Sequence, residues 1–373
     1  MSEFIQIHGL FDYGFSNPNR DRDNEPKRVM IGNVDRQRIS SQCLKRTWRT
    51  SDLFVSAFGG KLGEGNLGIR TKESGLEILA KLEEGGLSEA LADQWTRIVV
   101  AVFGAAKPEK KDTQDHLKNE TLFFATPEER RALHEFLDEI VKNKTAPPNV
   151  KGKEELEKEA AKIRSKILRK ETTAVDVAMF GRMFAQDKDY SIEGCVQVNH
   201  AFTVAGMEPE NDFFVAVDDV KSSDEARGED RGGGHLGSFT MGAGVYYKYA
   251  SLNRTALLGE LKDEALTRKA CEVFVETFMT VFARAKGNSC AQQSLAFYGR
   301  VERGQKMPRN LQLAYLEAIR DKNVDRVAIE RIQKTAQSMN KVYGERYSEM
   351  KEFIALPSLS EGALPELLAV AGR

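Results

Sequence analysis

Long apolar runs are missing from this chain. None approaches the roughly 20 residues needed to cross a bilayer, so neither a membrane span nor a membrane partner is expected. The start, MSEFIQIHGL, lacks a basic stretch followed by an apolar core, and no secretory leader is expected. Cysteine is sparse: Cys43, Cys195, Cys271 and Cys290 stand far apart with no C-x-x-C pair. That spacing argues against a zinc site and a disulfide framework, and fits a reducing cytoplasm. No P-loop and no H-E-x-x-H occurs. Residues 232–237 do spell G-x-G-x-x-G, but a charged run precedes them and a tyrosine-rich strand pattern follows. The strand-before, helix-after context of a dinucleotide site is absent, so neither a cofactor nor a metal is expected. The pair Asp218-Asp219 reads as a turn cap or arginine partner.

Net charge is nearly absent too, with 55 Lys+Arg against 56 Asp+Glu. A uniformly basic nucleic-acid binder is excluded, and copies of such a chain would repel one another little. The balance is broken locally. Arg20, Arg22, Lys27, Arg28, Arg36, Arg38, Lys45, Arg46 and Arg49 face only Asp21, Asp23, Glu25 and Asp35 over residues 20–49. A basic stripe on a neutral protein points to a defined phosphate track.

The stripe ends in RQRISSQCLKRTWR, residues 36–49. Ser40 or Ser41 is a good N-cap, because its hydroxyl accepts from an amide of the first turn. Gln42, Lys45, Arg46 and Arg49 then recur at spacings of three and four on one face, with Cys43, Leu44, Thr47 and Trp48 on the other. Free amides and the helix dipole favour an anion at that start. Arg36 and Arg38 just upstream extend the track from a lone phosphate to a backbone.

Strand alternation over residues 4–10 precedes a polar loop, 12–35, and the basic helix. Residues 56–171 read as a charged helical insertion with a modest core, its helices near 75–91, 93–102, 127–142 and 153–170. Loops are expected at 107–112 and 145–152. Strands return at 195–204, 213–217 and 244–250, the last two flanking a glycine-rich tip, 221–234, as a long hairpin. Phe213 and Phe214 point to opposite faces there, so at most one belongs in a core. His200 lies on an apolar strand face and reads as a core residue. A helix over 264–286, a strand near 293–301 and a last helix over 325–353 complete the pattern. Elements in this order are compatible with a ferredoxin-like sheet backed by helices, an α+β class.

At RISSQCLKR the chain resembles the CasC family, the backbone subunit of the type I-E CRISPR surveillance complex Cascade. FIQIHGL, Asn19-Arg20, Lys27, Gly181-Arg182-Met183, His200-Ala201, FFVAVDD at 213–219, His235-Leu236-Gly237 and GVYYKYASLN at 244–253 agree in order. The resemblance implies an RRM-like palm (1–55 and 172–355), a helical fingers insertion (56–171), a β-hairpin thumb (206–245) and a C-terminal tail (356–373). It implies guide RNA (crRNA), complementary target DNA, further copies stacked head to tail and other Cascade subunits as partners. Arg20, Lys27, Ser40, Gln42, Lys45, Arg46 and Arg49 match positions that hold guide phosphates. Met183 matches a wedge against bases, and Phe213, Phe214, His235 and Leu236 match thumb residues at a kink. Arg38 and Arg182 join these as candidate RNA contacts from their neighbourhood. The chain departs from the pattern in a longer, acidic thumb tip and in carrying Phe213 where the family usually has tryptophan.

Two functions follow. One is a non-catalytic scaffold that presents guide bases for pairing, the protein contacting backbone and shape. The other is a nuclease like the type III backbone subunits, which cut target RNA with a loop aspartate; Asp21 and Asp23 occupy that region.

Overall fold

The computed structural model describes residues 2–108, 115–216, 235–283 and 287–373. The hairpin tip 221–234 and Asp218-Asp219 lie outside the described residues, as does most of the loop expected at 107–112. Two compact units divide the chain: Met1–Ser51 with Gln197–Ser251 and Cys271–Arg373, and Asp52–Val196 with Leu252–Ala270.

In chain order the described elements begin with β1 (Phe4–Ser16), β2 (Arg28–Ile31), β3 (Val34–Ile39) and α1 (Ser41–Arg49). The second unit supplies α2 (Asp52–Phe58), β4 (Ile69–Thr71), α3 (Ser74–Glu84), α4 (Glu89–Val102), β5 (Phe123–Ala125), α5 (Pro127–Asn143), α6 (Lys153–Ile167) and α7 (Val175–Phe180). Next come β6 (Val196–Val198), β7 (Ala201–Thr203), β8 (Glu210–Ala216), β9 (His235–Asn253), α8 (Arg254–Leu261) and α9 (Glu264–Thr280). The chain closes with α10 (Gly287–Cys290), β10 (Ala296–Gly304), α11 (Val324–Tyr343), β11 (Glu349–Leu356), β12 (Leu359–Glu361) and α12 (Leu364–Gly372).

The result is an α+β protein built on one large sheet, ordered β12-β11-β10-β1-β9-β7-β3-β2, with β6 and β8 also on β9. The ladders of β1 with β10, β10 with β11, β3 with β7 and β8 with β9 are antiparallel. Because strand side chains alternate, β1 serves two layers. Leu10 packs with Tyr298, Tyr247 and the α11 residues Ala328, Ile329 and Ile332. On the opposite face, Phe11 meets Phe278 of α9, which also contacts Trp48 of α1 at 5.4 Å between ring centroids. Trp48 is fully buried, and its ring contacts with Phe274 and Phe278 fix α1 against α9.

Polar residues interrupt the first layer in register. Gln6 pairs with Glu302 and His8 with Arg300, and Arg300 pairs in turn with Glu352. Arg300 donates to Glu302 at 2.7 Å and to Glu352 at 2.8 Å, and Arg309 reaches Glu302 at 3.1 Å. His8 is held well below the usual imidazole range by burial first and then by Arg300 and Arg309.

Several expectations change. The polar stretch 12–35 is not all loop: β1 runs on to Ser16, and β2 and β3 form a hairpin across Gly32-Asn33. Both turn residues have positive φ, 58° and 59°, as a two-residue type I′ connection requires. The single strand over 195–204 is broken at Asn199-His200 into β6 and β7. The last helix stops at Tyr343, where Gly344 takes φ 71°, and β11 then occupies 349–356. Beyond it, β12 and α12 lie in the stretch read as a tail.

The second unit has its own large core, with Ile78, Leu82, Trp95, Ile98, Val99 and Leu137 among its buried residues. Its α5 begins with a capping box: Thr126 Oγ1 accepts from Glu129 N, and Glu129 accepts from Thr126 N. Glu129 is fully buried, so its remaining lone pairs need a partner inside the fold.

Candidate nucleic-acid interface

Ser40, not Ser41, caps α1. Its Oγ accepts from Cys43 N at 3.3 Å, and the first turn contains no acidic residue. The apolar face is buried through Leu44 and Trp48, while Gln42 and Arg46 are exposed. Lys45 is half-buried, and that burial lowers its pKa. Burial also pushes the Cys43 thiol up, and its Sγ lies 3.9 Å from the Pro18 carbonyl oxygen. Arg49 departs from the expected basic face. It is only 7% exposed, although the helical repeat puts it on the face of Gln42 and Lys45 rather than that of Trp48.

The upstream cations are drawn to this helix by hydrogen bonds. Asn19 Oδ1 accepts from Ser40 N at 2.9 Å, tying the loop that bears Arg20 to the cap. Lys27 N donates to Asn19 O, and Arg38 N donates to Lys27 O at 2.8 Å. Arg20, Lys27, Arg38, Ser40, Gln42, Lys45 and Arg46 therefore share one neighbourhood of the first unit. Asp21 Oδ1 accepts from the amides of Asp23 and Glu25, so it closes the loop's turn.

The root of the hairpin is fastened to the same loop. Asn17 Nδ2 donates to the carbonyls of Asn24 and Thr240, both at 3.0 Å. Thr240 Oγ1 lies 2.6 Å from Glu25 Oε1 and 2.7 Å from Asn211 Oδ1. Beyond that anchor, Phe213 pairs with Ser238 and Phe214 with Gly237. Phe213 is 64% exposed and Phe214 42%, so neither is core. The backbones of His235 and Leu236 pair with Ala216 and Val215.

Arg182 and Met183 belong to the second unit. Met183 is 87% exposed, an unusual cost for an apolar side chain that only fills space. Arg182 is a correction. Its side chain is 1% exposed and makes a two-oxygen contact with Glu129 at 2.7 and 2.8 Å. It also donates to the carbonyls of Phe124, Tyr190 and Arg169. A guanidinium so saturated is not available to a phosphate; it fixes the turn that puts Met183 outside.

His200 corrects the core expectation. It is exposed at the break between β6 and β7, and its Nδ1 lies 3.0 Å from an Arg38 guanidinium nitrogen. The signal was the strand break, which the apolar alternation of 195–204 concealed. Gly32-Asn33 was the overlooked mark of the β2–β3 hairpin, which carries Arg38. Among the described residues, no group of three or more His, Cys, Asp or Glu is placed to hold a metal ion, and no helix is long and apolar enough to cross a membrane.

A family model described as "CT1975-like protein" matches residues 5–366. No curated protein matches the sequence. Among solved structures, a chain of a "CRISPR RNA-guided surveillance complex, pre-nicking" superposes with a TM-score of 0.78 at 24% identity, covering 99% of this chain and 100% of that one. A chain of a "CRISPR RNA-guided surveillance complex" gives 0.69 at 21% identity, covering 99% and 95%. At these identities the likeness is one of fold.

Proposed function

The chain belongs to the CT1975-like protein family, and from that premise we propose that it is a guide-RNA-binding backbone subunit of a CRISPR surveillance complex. The finer reading places it in the type I-E branch, as a non-catalytic scaffold. Copies polymerise head to tail along crRNA in the cytoplasm, beside other Cascade subunits, and present guide bases to target DNA. One observation carries the proposal: hydrogen bonds through Asn19 and Lys27 gather cations from a loop, a strand and a helix start around one anion-favouring helix terminus. Cations along a backbone and exposed apolar groups for base faces are what sequence-independent single-strand binding needs. Arg20, Lys27, Arg38, Ser40, Gln42, Lys45 and Arg46 are the proposed backbone contacts. Met183, Phe213, Phe214, His235 and Leu236 are the proposed base-side contacts.

Titrating the protein with single-stranded RNA across salt concentrations tests the phosphate track. Lys45→Ala and Arg46→Ala are each expected to weaken binding to all sequences alike and to lower the log–log salt slope by roughly 0.7. A loss confined to particular base sequences would overturn the assignment. The nuclease alternative rests on Asp21 and Asp23. Periodic, metal-dependent cuts in complementary RNA that vanish in Asp23→Ala would replace the scaffold by an enzyme. Asp21→Ala is the poorer probe, since it also removes the acceptor of two loop amides.

A further inference from the structure

Arg38 is held in place through two nitrogens of its guanidinium. Its Nε donates to the Arg28 carbonyl at 3.1 Å, and one terminal nitrogen lies 3.0 Å from His200 Nδ1. Arg38 pairs with Phe202 across the β3–β7 ladder, so His200, two residues earlier, is its diagonal neighbour on the same face. The break in the strand is itself secured. Asn199 N donates to the Tyr249 carbonyl at 3.0 Å, and Asn199 Nδ2 donates to Gln312 Oε1 at 3.2 Å.

A guanidinium has no acceptor, so the contact requires Nδ1 to hold its lone pair and the ring to be neutral with its proton on Nε2. The surroundings favour that form: partial desolvation at this exposed position first, then Arg38 and Lys27, lower the pKa of His200. Two corners of the guanidinium are thus fixed, and its outer edge remains to donate. A planar fork held in advance loses less freedom on meeting a phosphate than a mobile lysine does.

We infer that His200 is a positioning residue of the guide-binding track, a neutral acceptor that orients the Arg38 fork toward a backbone phosphate. The inference rests on the guide-binding reading and assigns a task within it to a residue that carries no charge of its own.

The test measures binding of a short, mixed-sequence, fluorescently labelled ribo-oligonucleotide to the full chain across salt, for wild type, His200→Ala, His200→Asn, Arg38→Ala and the double alanine variant. His200→Ala is expected to weaken binding about three- to tenfold, the worth of one positioning hydrogen bond, with the salt slope unchanged. His200→Asn, whose Oδ1 stands where Nδ1 stood, restores most of the affinity. Arg38→Ala lowers the slope by roughly 0.7, and the double variant binds no more weakly than Arg38→Ala alone. Wild-type affinity in His200→Ala, fully additive losses in the double variant, or failure of asparagine to rescue a folded protein would each overturn the inference while leaving guide binding intact. A wild-type protein that does not bind the oligonucleotide overturns the guide-binding reading, and this inference with it.

Discussion

At the scale of single residues, charge alone misleads about where a cation works. Arg46 is exposed, Arg182 is sealed against Glu129, and Lys248 lies wholly inside. Lys248 Nζ sits 3.5 Å from the Phe11 ring centroid and 5.1 Å from that of Tyr13, with no hydrogen-bond partner among the described residues. Burial pushes its pKa down to about 7. An unfolded lysine titrates near 10.4, so between the two values the unfolded chain binds more protons and stability rises with pH. Below the folded value both states are charged and the native state bears the full desolvation cost. Lys248→Met is therefore expected to be more stable than wild type at pH 6. The gap should shrink on raising the pH from 7 toward 10, by about 1.4 kcal/mol per unit at most. Paired denaturant titrations at several pH values check this, and a gap independent of pH would refute it. Nothing in the sequence marked Lys248 as different from the other lysines, because its burial depends on Phe11 and Tyr13 of a distant strand.

At the scale of elements, local rules carried far where their signals are local. The serine cap, the buried Leu44–Trp48 face of α1, the helices α4 to α6 and α9, and the two strands of the hairpin all follow from period and capping. Misses arose where one residue ends an element or a long-range partner creates one. Gly344 stops α11, and β11 exists because β10 lies beside it. The β2–β3 hairpin depends on Gly32 at φ 58°, where an added Cβ would stand 2.0 Å from the Leu316 carbonyl oxygen. Gly32→Ala should cost more than about 1 kcal/mol in chemical denaturation, since both the left-handed backbone and the close approach oppose it. It should also weaken RNA binding, because β3 carries Arg38. A variant as stable as wild type would show that the turn tolerates a side chain and relaxes away from residue 316.

At the scale of the whole molecule, balanced charge and a local basic track fit a subunit that lies beside its own copies on one strand. On the proposed reading, lengthening the RNA should add bound chains in steps, seen as increments of one protomer mass by native mass measurement. One chain per RNA at every length would leave an RNA-binding protein without a filament. The sequence by itself determined the α+β class, the basic helix with a serine at its start and the position of the hairpin, because period, capping and turn chemistry act over a few residues. Only the tertiary structure decided which cations remain outside. It sealed Arg182 and drew Arg49 inward, brought His200 against Arg38, and fastened Asn19 to Ser40 and Asn17 to Thr240. Those outcomes depend on contacts between segments tens to hundreds of residues apart, where burial and hydrogen-bond saturation, not residue type, set what a side chain is free to bind.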